Sequence, residues 1–80
     1  MDKEPLIGRH GIQVRDKKGN YLSIGDYVKT RTNFVGIIES WDGFRVTVHY
    51  LDSEIDRVSW IPSAITRITD SEFFLHVIES

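Results

Sequence analysis

Eighty residues with no cysteine and a formal charge of −2 describe one domain without disulfides or thiolate metal sites. A chain this short buries only about 60–65% of the surface it exposes when unfolded, so its core is small. No apolar run approaches the roughly 18–20 residues of a membrane span, and Met1-Asp2-Lys3-Glu4-Pro5 lacks the basic-then-apolar pattern of a secretory signal. The expectation is a complete small cytoplasmic protein with no membrane partner.

The charge is unevenly spread. Residues 1–33 hold seven Lys/Arg against four Asp/Glu, and residues 34–80 hold three against eight, giving +3 and −5. A dedicated nucleic-acid binder carries a strongly basic balance, because phosphate neutralisation supplies most of its affinity. The whole chain lacks that balance. Arg9, Arg15, Lys17, Lys18, Lys29 and Arg31 form either a local basic patch or an ordinary solvated surface.

Residues 1–11 read as an N-terminal arm with only Leu6-Ile7 to dock it. Ile12 and Val14 alternate with Gln13 and Arg15, which predicts a short first strand. Asp16-Lys17-Lys18-Gly19-Asn20 is a turn, since Gly and Asn tolerate positive φ. Gly25-Asp26 is a second tight turn leading into a strand at Tyr27-Val28-Lys29-Thr30. Thr32-Asn33 is a short polar loop. A strand from Val35 to Trp41 follows, and the Gly36 inside it marks a bulge or a close backbone approach. Asp42-Gly43 predicts a hairpin with a type I′ turn, which needs positive φ at both positions.

Phe44, Val46, Val48 and Tyr50 alternate with Arg45, Thr47, His49 and Leu51, a strand whose first set should line the core. Asp52-Ser53-Glu54 is a turn, and Ile55 to Trp60 returns as a strand with Val58 and Trp60 on one side. Pro62 has no amide hydrogen to donate, and Pro62-Ser63-Ala64 fits one turn of 3₁₀ helix. Ile65 and Ile68 mark a last short strand. Residues 70–80 fit a helix capped by Asp70 or Ser71, with Phe73, Phe74, Val77 and Ile78 on one side, or else an added strand.

The layout Gly25-Asp26-Tyr27-Val28, Gly36-Ile37-Ile38, Val46 to Asp52, Val58-Ser59-Trp60-Ile61 and then Ile65 with Ile68 resembles SH3-like small barrels. Within them it is most similar to the Tudor group, over about half the chain. The resemblance implies an all-β, five-stranded antiparallel barrel over residues 12–69, flanked by the arm and a C-terminal element at 70–80. It also implies a binding module. Many Tudor domains hold methylated lysine or arginine in an aromatic cage beside an acid, by cation–π contact. Phe34 and Tyr50 match two cage positions, and Asp52 matches the acid. The family's first loop usually supplies a further aromatic where this chain has Arg31, Thr32 and Asn33.

The remaining side chains give little chemistry. His10, His49 and His76 lack metal-ligand spacing, so no metal and no cofactor is expected. No nucleophile-elbow serine and no phosphate-cradling Gly-rich loop is present. Trp41 and Trp60 read as core or partly buried, with Trp41 the more exposed. Asp52, Glu54 and Asp56 alternate and share one strand face, as an acceptor of a basic partner or as a solubilising edge.

The sequence therefore reads as a non-catalytic binding module, not an enzyme. The first expectation is recognition of a basic protein surface or peptide through Phe34, Trp41, Tyr50, Asp52 and Glu54. The alternative is nucleic-acid binding through Arg15, Lys17, Lys18, Lys29 and Arg31, with Tyr21 or Trp41 available for stacking. The tail Phe73-Phe74-Leu75 is either docked on the barrel or an interface, including one between copies of the chain.

Overall fold

The computed structural model describes residues 3–50 and 57–79. Five antiparallel strands form one sheet in the order β4-β3-β2-β1-β5. They are β1 (Tyr27–Thr30), β2 (Val35–Trp41), β3 (Val46–Tyr50), β4 (Arg57–Trp60) and β5 (Ile65–Arg67). A 3₁₀ turn at Pro62–Ala64 precedes β5, and helix α1 (Asp70–Glu79) ends the chain's described part. The fold is mostly β with one short C-terminal helix. Among the described residues no pairing joins β4 to β5, and no helix is long and apolar enough to cross a membrane.

The side-chain alternation of each strand explains the core. Val28, Val46, Val48, Tyr50 and Ile65 point inward and are buried with Ile38. Leu6 and Leu22, from the segment before β1, complete the cluster at 1% and 0% exposure. Each contributes roughly 1.5–3 kcal/mol by leaving water, and Leu6 docks the N-terminal segment on the core.

That segment is not a strand. The backbone amide of Leu6 donates to the Leu22 carbonyl (3.1 Å), Leu22 to Val14 (3.0 Å), and Val14 back to Leu6 (2.8 Å). Three stretches of chain thus close a ring, and each pair is joined by a second bond as well: Ile24 to Glu4, Gly8 to Ile12 and Asp16 to Asn20, all at 2.8 Å. A strand needs successive bridges to the same neighbour, and each stretch here makes one bridge to each of two neighbours: Pro5 opposite Ser23, Ile7 opposite Gln13 and Arg15 opposite Tyr21. The strand expected at Ile12 and Val14 is therefore replaced by this ring, and Ile12 is exposed.

Gly36 marks a close approach. A Cβ there would stand 2.5 Å from the His49 carbonyl oxygen and 2.7 Å from a Val48 methyl. The bulge of β2 falls later, between Ile38 and Ser40. The Asp42-Gly43 connection also departs from the expected type I′ turn. Gly43 has φ +95, but Asp42 is not in the positive-φ region. Asp42 instead accepts hydrogen bonds from the amides of Phe44 (2.7 Å) and Arg45 (2.6 Å). These two amides, Arg45 first, hold its carboxyl below the usual aspartate range. The turn thus extends through Arg45, strand alternation starts at Val46, and Phe44 is exposed rather than in the core.

Helix α1 is seated by one residue. Phe73 is buried and stacks on Tyr27, ring centroids 3.9 Å apart and 11° from parallel, in a second cluster with Val35 and Ile68. The N-cap is Thr69, not Asp70 or Ser71. Its hydroxyl accepts from the Glu72 amide (3.1 Å), while the Glu72 carboxylate reaches back to the Thr69 amide (3.4 Å). This is a capping box, which satisfies two amides that the first helical turn leaves free. Phe74, Val77 and Ile78, expected on one side with Phe73, are exposed.

Candidate functional site

The outer edge of β5 is the best-organised polar region of the molecule. Arg67 and Ile65 turn an amide and a carbonyl away from β1, and an unprotected sheet edge invites pairing. The turn at residues 16–20 covers it. The Asp16 carboxylate accepts from the Arg67 amide (2.6 Å), and the Lys17 amide donates to the Ile65 carbonyl (3.0 Å). Asp16 also accepts from the amides of Lys18 and Asn20, both at 2.8 Å, and from the Asn20 side chain at 3.2 Å. Gly19 makes the turn possible with φ +87.

Asp16 is 6% exposed. Its burial opposes ionisation, and the hydrogen bonds from Arg67, Asn20 and Lys18 outweigh it, so its carboxyl lies below the ordinary aspartate value. A buried carboxylate with four donors is a rigid anchor. It fixes Lys17 and Lys18 over the end of β5.

The β1–β2 turn supplies further cations to the same place. Its shape is set by Asn33, at φ 67, whose amide donates to the Thr30 carbonyl (3.0 Å), and by the Thr30 amide donating to the Phe34 carbonyl (2.9 Å). Lys29 and Arg31 then face Lys17, Lys18 and Arg67 around a hollow of about 550 Å³, in which Glu72 is the only carboxylate among the described residues. A second hollow of about 320 Å³ shares Lys17, Arg31 and Ala64 and adds Ile61 and Ser63. A third, of about 350 Å³, shares Arg67, Ile68 and Thr69 and reaches Lys3, Asp26 and Asp70. The shared residues make these one groove along the β5 edge, cationic over its first two parts and mixed at the third. Among the described residues, no carboxylate lies within ion-pair distance of Lys17, Lys18, Lys29 or Arg31. Arg67 approaches Asp26 at 3.8 Å.

Arg15 does not line the groove. Its guanidinium lies over the Tyr21 ring, 4.8 Å from the centroid, and donates to the Tyr21 hydroxyl at 2.8 Å. The groove also holds residues that sequence reasoning missed. Arg67 is brought in by β5, and Asp16 acts by positioning the lysines. An Asp followed by Gly-Asn signals the local turn, but nothing local signals its contact with a residue 51 positions away.

The aromatic and acidic set is dispersed. Tyr50 is 4% exposed and accepts a hydrogen bond from the Trp60 indole at 2.7 Å, so it belongs to the core. Phe34 is 40% exposed, its ring 5.5 Å from that of Tyr50. Trp41 is half-buried, with its indole donating to the Ile7 carbonyl at 3.0 Å. It lies at the far end of the seven-residue β2 from Phe34, about 20 Å away at the usual strand rise. Asp52, Glu54 and Asp56 lie outside the described residues.

Two other features are structural. Both carboxylate oxygens of Glu39 accept the shared Nε–H of Arg57 (2.8 and 2.9 Å), and the carboxylate lies 3.3 Å from His49. The Arg57 hydrogen bond is the main reason its carboxyl is held below the usual glutamate value. Among the described residues no three His, Asp or Glu side chains cluster as metal ligands would. No protein-family model, curated protein or solved structure matches this chain.

Proposed function

We propose that this chain is a non-catalytic binding module that holds nucleic acid by its phosphate backbone, along the groove at the β5 edge. One observation carries the reading. Lys17, Lys18, Lys29, Arg31 and Arg67 surround one open hollow in which Glu72 is the only carboxylate among the described residues. Lys17, Lys18, Lys29 and Arg31, with no carboxylate in ion-pair distance among the described residues, suit the replacement of condensed counterions on a polyanion. The acidic remainder of the chain confines contact to this face, which reconciles the local site with a net charge of −2. Ile61, 41% exposed in the adjoining hollow, offers an apolar surface beside the phosphates. The sheet of short antiparallel strands is compatible with an SH3-like barrel of Tudor type, and a cytoplasmic setting agrees with this ligand.

Recognition of a basic protein through Phe34, Trp41, Tyr50, Asp52 and Glu54 is the weaker reading. It needs Tyr50 at the surface, and the Tyr50 hydroxyl is engaged by Trp60 inside the fold.

The test is fluorescence anisotropy with a labelled 20-nucleotide single strand between 50 and 200 mM NaCl. Four to five phosphate contacts give a slope of log K against log salt of about −3 for a single strand. Lys17→Glu with Lys18→Glu should abolish binding at the higher salt. Unchanged affinity in that variant, or equal affinity for polyglutamate, refutes the reading.

A further inference from the structure

Helix α1 carries more apolar surface than its own docking uses. At 100° per residue, Phe73 turns towards the sheet and Val77, 48% exposed, lies beside it. Phe74, Leu75 and Ile78 form a stripe on the outer side and are 57%, 57% and 78% exposed, with the Phe74 ring edge-on to Phe73 at 5.8 Å. Only Phe73 is buried in the helix. Phe and Ile are poorer helix formers than Ala, Glu or Lys, so neither helix stability nor the core accounts for the stripe. Contiguous exposed apolar surface of this kind marks an interaction site.

Charge decides what covers it. On the same helical projection Asp70 flanks the stripe on one side and Glu79 and Glu72 on the other. Among the described residues no cation lies within ion-pair distance of these three carboxylates. A second copy pairing through this face in antiparallel fashion sets Asp70 against Glu79 of its partner, and parallel pairing sets like residues side by side. Both put like charges along the seam of a small interface. An anionic membrane meets the same repulsion.

We infer that the outer face of α1 is a docking site for an amphipathic helical segment of another protein, one whose apolar residues are flanked by Lys or Arg. Three apolar side chains on a ten-residue helix make a small, transient interface. This surface shares Glu72 with the groove at β5, and the inference is tested through Leu75 and Ile78, which do not line that groove.

The experiment uses the full chain, ¹⁵N-labelled, with an 18-residue Leu/Lys peptide carrying leucine at i, i+3 and i+4 spacing, and a Leu/Glu peptide of the same pattern. The Leu/Lys peptide should shift the amides of Phe74, Leu75 and Ile78 and bind at least tenfold tighter than the Leu/Glu peptide. Leu75→Gln with Ile78→Gln, both at exposed positions, should weaken it at least tenfold while the sheet resonances stay in place. Equal binding of the two peptides, shifts confined to other surfaces, or no loss in the double variant overturns the inference. So does concentration-dependent dimerisation of the free chain that the same double variant removes, which would assign the face to a second copy.

Discussion

Replacing Asp16 with Ala removes the acceptor of four hydrogen bonds, from the amides of Lys18, Asn20 and Arg67 and the side chain of Asn20. The Lys18 and Asn20 amides lie in a surface turn and regain water. The Arg67 amide is covered by the turn and loses a charge-assisted bond, the kind that contributes about 1.5–3 kcal/mol. With a smaller loss from the turn itself, Asp16→Ala should cost about 2–4 kcal/mol. In a domain of this size each kcal/mol lowers Tm by about 4–8 °C, so a fall of roughly 10–25 °C is expected in thermal unfolding followed by circular dichroism. Asp16→Asn keeps the shape and one acceptor oxygen and should fall between. The pH dependence has a definite sign. A carboxyl with a lowered folded-state pKa stabilises fully above the unfolded value of about 3.9, and that contribution is lost as pH falls through the folded value. The gap in stability between wild type and Asp16→Asn should therefore be constant above about pH 5 and shrink below about pH 4. A Tm change under about 3 °C for Asp16→Ala, below the range that the buried bond implies, refutes the claim that this carboxylate anchors the turn to β5.

Gly36→Ala drives a Cβ to within 2.5 Å of the His49 carbonyl oxygen; backbone cannot retreat as a side chain can, and at least about 2 kcal/mol of destabilisation is expected in urea unfolding. Tyr50→Phe leaves the half-buried Trp60 indole without its acceptor. It should cost about 1–2 kcal/mol and shift tryptophan emission, whereas a surface tyrosine would change neither. Thr69→Ala removes half of the capping box and should cost about 1 kcal/mol, with amide exchange accelerating in residues 70–79 before the sheet. Equal exchange in helix and sheet would contradict the single-residue seating of α1 on Tyr27.

The elements most legible in the sequence were those set by local rules. The strand from Val35 to Trp41, the 3₁₀ turn at Pro62–Ala64 and the inward set Val46, Val48 and Tyr50 follow from β-branched alternation and from proline's missing amide hydrogen. The tail fits a helix or an added strand by sequence, and the structure makes it a helix capped by Thr69 rather than by Asp70 or Ser71. Thr69 and Glu72 stand at capping-box spacing and were passed over for Asp70 or Ser71. Phe44 failed because a carboxylate at Asp42 extends the turn by two residues, and period-two counting does not register a side chain capping the backbone. Tyr50 shows a different limit. Its alternation correctly faced it inward, while the family resemblance drew it to the surface, and a buried tyrosine needs the partner that Trp60 provides. The groove was half legible. Lys17, Lys18, Lys29 and Arg31 could be named from charge alone, but their convergence depends on Asp16 meeting Arg67 across 51 positions, a contact that no local pattern encodes.

The most direct measurement of the central claim is a ¹H–¹⁵N titration of the full chain with an unlabelled oligonucleotide at 50 mM NaCl. The account predicts that the amides of Lys17, Lys18, Lys29, Arg31 and Arg67 shift together and saturate at one concentration, with Phe34, Trp41 and α1 beyond Glu72 unmoved. Saturable shifts centred on Phe34 and Trp41, or no shifts at a concentration that binds polyanions elsewhere, would contradict it.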